Sequence, residues 1–190
     1  DTRASGRSIG VPGILRLLQD VHTEHGKTGW RDLFDPALAL ADDGFDISPR
    51  LAAALADAAP QLKADPQASE YFLNPDGTPK QGGPRLTNPP YSKTLGAIAS
   101  DPQSFYTGDI ARDIVAAAAD ASGGRTPSLM TLEDLSGYAV KNRGPLCAPY
   151  RGKEICGFPP PSSGGIAVAA TLGVLEHFPM AEHTPTDIDL

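Results

Sequence analysis

No stretch of this sequence is apolar for long enough to cross a bilayer. Runs such as Ile166 to Ala170 fall far short of the roughly 20 residues that a spanning helix needs, so no membrane span is expected. An excess of positive charge is missing as well: 16 Lys and Arg stand against 23 Asp and Glu, a net charge of -7. The average field repels phosphate backbones and anionic lipid, which argues against nucleic acid as a partner. Aromatic residues are few, 6% with one Trp, and Trp30 and Phe34 beside Leu33 read as core anchors rather than as a stacking platform. There is no initiator Met and no apolar leader before Asp1-Thr2-Arg3, and no clear terminator after Asp187-Ile188-Asp189-Leu190, so both ends read as cut.

What remains is the composition of a folding chain: 40% hydrophobic and 21% charged residues are too apolar for general disorder. Its most repeated device is a polar residue followed by Pro, at Asp35-Pro36, Ser48-Pro49, Asp65-Pro66, Asn88-Pro89 and Asp101-Pro102. Each predicts a helix start, because the side-chain oxygen accepts from an orphan N–H of the first turn while Pro at the first position gives up no intrahelical bond. Stops are expected at Gly26 after Ile14 to His25, at Gly44 after Ala37 to Asp43, and at Gly123 after Ile110 to Ser122. Leu51, Leu55, Ala58 and Leu62 share one helical face, and Ile110, Ile114, Ala118 and Ala121 another. Thr131-Leu132-Glu133-Asp134 has the form of a capping box opening a short turn before Gly137.

Residues 74–88 hold Pro75-Asp76-Gly77, Pro79, Gly82, Gly83 and Pro84, a turn-rich surface loop inside one domain of residues 1–190. From Tyr138 the pattern changes. Tyr138 to Arg143 alternates as a strand would, and Leu146 to Tyr150 and Lys153 to Phe158 flank Arg151-Gly152 as a hairpin. With that two-residue turn, Cys147 falls opposite Cys156 in a non-hydrogen-bonded pair. The Cα atoms then approach to about 4.5 Å, close enough for a disulfide whose formation depends on the compartment. Pro145 and Pro149 turn their missing donors away from this partner, which makes the Leu146 strand an edge. The segment Ile166 to Phe178 is apolar nearly all round and reads as a helix buried between layers.

Candidate chemistry is sparse. His22 and His25 could present two nitrogens on one helix face beside Glu24, but no third and fourth ligands follow at a recognisable spacing. His177 and His183 have no motif around them. Ser162 and Ser163 lack both a nucleophile-elbow pattern and a base nearby in sequence. Gly164 and Gly165 could offer backbone N–H groups to an anion, although a structural role, with Ser163 capping and the glycines permitting close packing, is favoured. Asp42, Asp43, Asp187 and Asp189 form no calcium-loop spacing and read as solvated surface.

Four stretches together resemble the γ-glutamyltransferase (γ-glutamyltranspeptidase) family, in the family's order. The first runs from Gly10-Val11-Pro12-Gly13 through Gly29-Trp30-Arg31-Asp32-Leu33-Phe34-Asp35-Pro36-Ala37 to Asp43-Gly44-Phe45-Asp46-Ile47-Ser48. The second is Leu86-Thr87-Asn88-Pro89 leading to Thr94-Leu95, and the third Phe105-Tyr106-Thr107-Gly108-Asp109-Ile110-Ala111. The fourth and most specific runs from Tyr150-Arg151-Gly152 to Pro159-Pro160-Pro161-Ser162-Ser163-Gly164-Gly165-Ile166. Asn88-Pro89-Pro90-Tyr91 is bulkier than the family's usual helix start, and Cys147 and Cys156 are not family landmarks.

The resemblance implies an α+β fold: a mainly helical piece of an N-terminal-nucleophile hydrolase αββα sandwich, ending in a β-hairpin and the buried helix. It implies a precursor that cleaves itself into a large and a small subunit. The small subunit's new N-terminal Thr attacks the γ-glutamyl amide, with its own amine as base. This chain corresponds to the middle and later part of the large subunit, so its expected partner is the remainder of the precursor. The substrate expected for the whole enzyme is a small γ-glutamyl amide such as glutathione, the acceptor water or an amino acid. The periplasm or the extracellular space is the compartment the resemblance points to. No Thr-Thr-His processing motif occurs here, and Arg50, Arg85 and Arg143 lack the family's substrate-binding context. No catalytic, cofactor-binding or metal residue is therefore carried over, and no cofactor is implied. The branch stays open between glutathione-type transferase or hydrolase, cephalosporin acylase and poly-γ-glutamate depolymerase. The rivals from other classes are a stand-alone binding or scaffold domain and a serine hydrolase built on Ser162 or Ser163.

Overall fold

The polar-residue-Pro pairs explain much of how this chain is cut into helices. The computed structural model describes residues 5–83, 85–182 and 184. After α1 (Ile14–His25) and α2 (Asp35–Asp43) come α3 (Pro49–Lys63), α4 (Pro66–Phe72) and α5 (Pro89–Ser100). The last three open as the sequence predicts. The N–H groups of Leu51, Ala68 and Tyr91 donate to Ser48 Oγ at 3.2 Å, Asp65 Oδ1 at 3.0 Å and Asn88 Oδ1 at 3.0 Å. Each bond satisfies a donor that the first turn leaves orphaned.

Two of the expected starts differ. A 3₁₀ turn over Arg31–Phe34 runs straight into α2, so Asp35 is already helical at φ -52° and ψ -46° and cannot act as a cap. At Asp101 the carboxylate accepts from the Gln103 N–H at 2.9 Å, two residues on. That Asx turn delays the short α6 (Ser104–Thr107) until Ser104. The following helix, α7 (Asp109–Ala119), stops before the expected Gly123. Asp120 leaves helical geometry at ψ 119°, and its carboxylate takes the Ser122 hydroxyl at 2.6 Å, the Ser122 N–H at 2.9 Å and Arg125 at 2.8 Å. The Ser122 hydroxyl is the main reason the Asp120 carboxyl is held below the ordinary carboxylate range. Ala121 therefore drops off the expected face and is exposed, while Ala111 and Ala118 are buried. The capping box at α8 (Leu132–Ser136) is complete: the Asp134 N–H donates to Thr131 Oγ1 at 3.2 Å, and the Thr131 N–H to Asp134 Oδ2 at 2.9 Å.

The chain divides into two compact units, meeting in sequence at Val140 and Lys141. Within the first, Tyr106, Ala111 and Leu135 are fully buried, surrounded by Val11, Leu15, Phe105, Ile114, Val115, Met130 and Tyr138. Tyr106 does more than fill space. Gly13 stands at the N-cap of α1 without a side chain to cap it. The Tyr106 hydroxyl takes that role from 90 residues away, accepting from the Arg16 N–H at 2.9 Å and donating to the Pro12 carbonyl at 2.9 Å. The absence of a side chain at Gly13 also leaves room for Tyr138, whose ring would have to shift if a Cβ stood 2.1 Å from its hydroxyl. Elsewhere in this unit α2 packs on α5, and α3 on α4, with Leu55 as the buried point of the predicted α3 face.

The loop at 74–88 stays within this unit. It turns at Asn74 to Gly77, pairs Pro79 back on Leu73, and ends where Leu86 pairs with Phe45 through backbone bonds of 2.9 and 3.3 Å. Pro84 lies outside the described residues.

The second unit is a hairpin laid on a helix. Tyr138 to Arg143 forms no strand, contrary to its alternating pattern: Tyr138 turns into the first unit's core, and among the described residues no strand pairs with this segment. The sheet consists of β1 (Leu146–Tyr150) and β2 (Lys153–Gly157), antiparallel in the predicted register, with Cys147 opposite Cys156. Arg151 at φ 49° and Gly152 at φ 74° make the left-handed pair of a tight hairpin turn. Leu146, Ala148, Tyr150, Ile155 and Gly157 are the less exposed positions of the two strands, the period-2 mark of a face turned to a neighbour. That neighbour is α9 (Gly164–Leu175), whose matching stripe is Gly165, Ala169, Leu172 and Leu175.

Helix α9 is not buried as its composition suggested. None of its residues is buried, and Ile166, Val168 and Val174 are 47%, 51% and 61% exposed. The sequence calls for contacts all round, and the described residues of this unit supply them on one side.

The Tyr106 arrangement makes a stability prediction. Replacing Tyr106 with Phe keeps the ring but leaves the Pro12 carbonyl and the Arg16 N–H without their partner. The expected loss is about 1–3 kcal/mol, read as a lower urea midpoint. Burial pushes the Tyr106 phenol above its ordinary value. The native state therefore prefers the neutral phenol. Its contribution is intact below about pH 10 and falls as the pH rises further, because the unfolded chain ionises first. In Tyr106→Phe that alkaline component should be absent.

Candidate functional site

The segment that joins β2 to α9 carries the most specific motif in the chain, Pro159-Pro160-Pro161-Ser162-Ser163-Gly164-Gly165. The Pro160–Pro161 peptide is cis. Ser162 N–H closes a turn onto the Pro159 carbonyl at 3.2 Å, and α9 starts at Gly164. Ser163 does occupy the N-cap position, but at φ -85° and ψ -20° it is already in helical geometry and its hydroxyl makes no cap bond. The expected capping role of Ser163 is therefore absent. A capping side chain needs an extended backbone to reach forward to the second or third N–H.

The role of the glycines is steric. A Cβ on Gly165 would lie 2.3 Å from the Phe158 carbonyl, and one on Gly157 would lie 2.7 Å from the Gly165 Cα. The end of β2 and the first turn of α9 thus touch backbone to backbone. The other end of this layer is tied by Arg151, whose N–H donates to Glu176 Oε1 at 3.3 Å and whose guanidinium donates to the Phe178 carbonyl at 3.0 Å. Gly157 and Gly165 thus make this segment the joint that sets hairpin against helix.

Other sequence candidates are placed apart. His22 Nε2 meets the Thr28 carbonyl at 2.8 Å and its ring stands edge-on to Trp30 at 5.3 Å, whereas His25 lies on the surface 3.8 Å from Glu24. Among the described residues the one group of three potential metal ligands is Cys147, Glu154 and Cys156, and it does not include either histidine. Cys147 and Cys156 form a disulfide with a Cα separation of 4.1 Å, the pairing that the hairpin register allows. Ser162 and Ser163 are exposed, and His177 uses its backbone N–H on the Val174 carbonyl. Asp42 and Asp43 are exposed on α2, while His183, Asp187 and Asp189 lie outside the described residues.

Sequence reasoning also missed a groove in the first unit. Leu18, Val21, Trp30, Leu33, Phe34 and Leu95 line an apolar trough of about 520 Å³. Trp30 donates its indole N–H to the Ile98 carbonyl at 3.2 Å and is half-buried rather than a deep core anchor. Its position beside helical Leu18 and Val21, four and seven places from Ile14, is the signal that could have found the face.

The sequence model of the Gamma-glutamyltranspeptidase family matches residues 1–189. The chain belongs to this family. It is 37% identical over 172 residues to glutathione hydrolase 2 of Arabidopsis thaliana, covering 90% of this chain and 29% of the relative. It is 35% identical over 173 residues to the acylase ACY 1 proenzyme of a Pseudomonas species, covering 90% and 30%. The crystal structure of Helicobacter pylori gamma-glutamyltranspeptidase superposes with a TM-score of 0.87 at 29% identity, over 98% of this chain and 52% of that one. The mainly helical fold with its terminal hairpin and helix is thus that of a gamma-glutamyltranspeptidase. The chain spans less than a third of the length of these curated relatives. No described helix is long and apolar enough to cross a membrane.

Substitution at the glycine joint tests its steric role. Gly165→Val should destabilise the chain by about 1–3 kcal/mol through overpacking, visible as a lower urea midpoint. An unchanged midpoint would show that the backbones need not touch, and would free the motif for ligand binding.

Proposed function

We propose that this chain is the middle to C-terminal part of the large subunit of an enzyme that transfers a γ-glutamyl group from glutathione or a related amide to water or an amino acid. Its own contribution is structural, and the nucleophile belongs to the remainder of the same precursor. The observation that carries the reading is the asymmetry of coverage. Nearly the whole chain superposes on a gamma-glutamyltranspeptidase, while it accounts for about half of that chain and under a third of the curated relatives. A relative named as a proenzyme supports a precursor that is processed.

The chemistry of this chain agrees with a supporting role. Attack by a Thr whose own amine is the base requires a free N-terminal Thr, and Thr107, Thr126 and Thr131 are internal. Thr131 is moreover held in its capping box and Thr107 donates its hydroxyl to the Gln103 carbonyl at 3.0 Å. Ser162 and Ser163 have no base placed beside them by any described hydrogen bond. What the chain offers is apolar surface on α9 and in the Trp30 groove, which the rest of the enzyme would cover. Identities of 37% to a glutathione hydrolase and 35% to an acylase are too close to separate the two branches.

Release of p-nitroaniline from γ-glutamyl-p-nitroanilide tests the assignment. The purified chain should show no turnover, and the full-length precursor, assayed beside it, should. Comparable turnover by the chain alone would place the nucleophile within these 190 residues. An inactive full-length protein would instead favour a binding or scaffold domain derived from such an enzyme.

A further inference from the structure

The two faces of the hairpin have different fates. One lies on α9, and the other, carrying Cys147, Pro149, Glu154 and Cys156, faces solvent. Glu154 and Cys156 are two residues apart on β2 and so project from the same face, with Cys147 directly across from Cys156 and Glu154 on the diagonal. The two sulfurs and a Glu154 carboxylate oxygen lie within 4.8 Å of one another. We propose that this exposed face is a redox-gated site for a thiophilic divalent cation, zinc in the first instance, held by Cys147, Cys156 and Glu154.

In the disulfide form the sulfurs are bonded to each other and are not thiolates, so the site is closed to metal. Two equivalents of a small thiol open it: two electrons pass to the disulfide, the S–S bond breaks, both cysteines gain protons, and the thiol leaves as its own disulfide. Zinc binding then displaces the two thiol protons and forms two Zn–S bonds and one Zn–O bond, with water as the fourth ligand. Sulfurs on one tetrahedral zinc sit roughly 3.7 Å apart, given Zn–S bonds of about 2.3 Å. Side-chain rotation at exposed residues with a Cα separation of 4.1 Å reaches that spacing without moving the strands.

Two soft thiolates with one carboxylate favour zinc or cadmium over calcium or magnesium, which seek all-oxygen ligands. The three anionic groups would repel one another on the bare face, and a dication reverses that sign. The hairpin also limits the rearrangement needed, because its turn at Arg151 and Gly152 and its seat on α9 hold the register while the disulfide is open.

Cobalt(II) is the probe, titrated anaerobically into the whole chain with and without a phosphine reductant, with zinc then added as competitor. The reduced chain should take up one equivalent and develop a thiolate-to-cobalt charge-transfer band that zinc abolishes, and the oxidised chain should show none. Removing even an outer-shell partner of a metal site costs about 10- to 100-fold in affinity, so Glu154→Gln should weaken binding at least tenfold. Circular dichroism of that surface variant checks that it folds. No band in reduced chain whose two thiols are titratable overturns the proposal, as does unchanged affinity in Glu154→Gln.

Discussion

A single phenolic hydroxyl ties the first unit together. Tyr106 sits on the short helix before α7, fully buried, and completes the start of α1, far away in sequence, by bonding on both sides of Gly13. The consequences spread from there. Because the hydroxyl does the capping, position 13 can be a glycine, and because it is a glycine, the Tyr138 hydroxyl can approach where a Cβ would stand. Tyr138 stacks parallel to Tyr106 at 6.4 Å, and the Arg16 guanidinium lies over the Tyr106 ring at 4.4 Å. The Arg16 Nε has no hydrogen-bond partner among the described residues, and the ring face supplies favourable electrostatics in its place. Three segments far apart in sequence are thus fixed by one residue whose burial requires its hydroxyl to be satisfied.

The second unit depends on contact of another kind. Gly157 and Gly165 let a strand end and a helix start meet at backbone distance, closer than side chains permit. At the opposite end Arg151, placed at the turn by its left-handed backbone, reaches Glu176 and Phe178 just after α9. The layer is therefore pinned at both ends by local geometry, with the alternating strand positions and the Gly165, Ala169, Leu172 stripe between them. A disulfide on the opposite face closes the same hairpin from outside.

Local chemistry was legible in the sequence wherever one side chain acts on its own turn. Ser48, Asp65, Asn88 and the Thr131 box cap as their spacing predicts, and the Arg151-Gly152 turn sets the register that pairs the cysteines. The failures came where a neighbour competes. Asp101 and Asp120 spend their carboxylates on Asx turns, Asp35 is overtaken by the 3₁₀ turn before it, and the alternating Tyr138 to Arg143 finds no strand to pair with. Nothing in residue spacing announced that a tyrosine 90 residues away would cap α1, because such a bond exists only once the fold brings the segments together. The motif from Pro159 to Gly165 was visible as a pattern that favoured capping by Ser163 and close packing by the glycines over anion binding, and only the packing half holds: Ser163 makes no cap bond, while the Phe158 carbonyl stands beside Gly165.

Helix α9 shows how composition and environment can disagree without either being in error. Its sequence, Gly164 to Leu175, is apolar in every direction, and a helix of that kind is stable in water only when covered on all sides. Here one stripe is covered by the hairpin, and Ile166, Val168 and Val174 on other sides remain exposed. The Trp30 groove repeats the disagreement in the first unit, where Leu18, Val21 and Leu33 are 51%, 46% and 51% exposed around a trough with few polar atoms. Scattered apolar residues on a surface mean little, but contiguous faces do. The chain spans under a third of the curated relatives it matches, and its proposed place in a larger enzyme would give the apolar surface of both units the same cause.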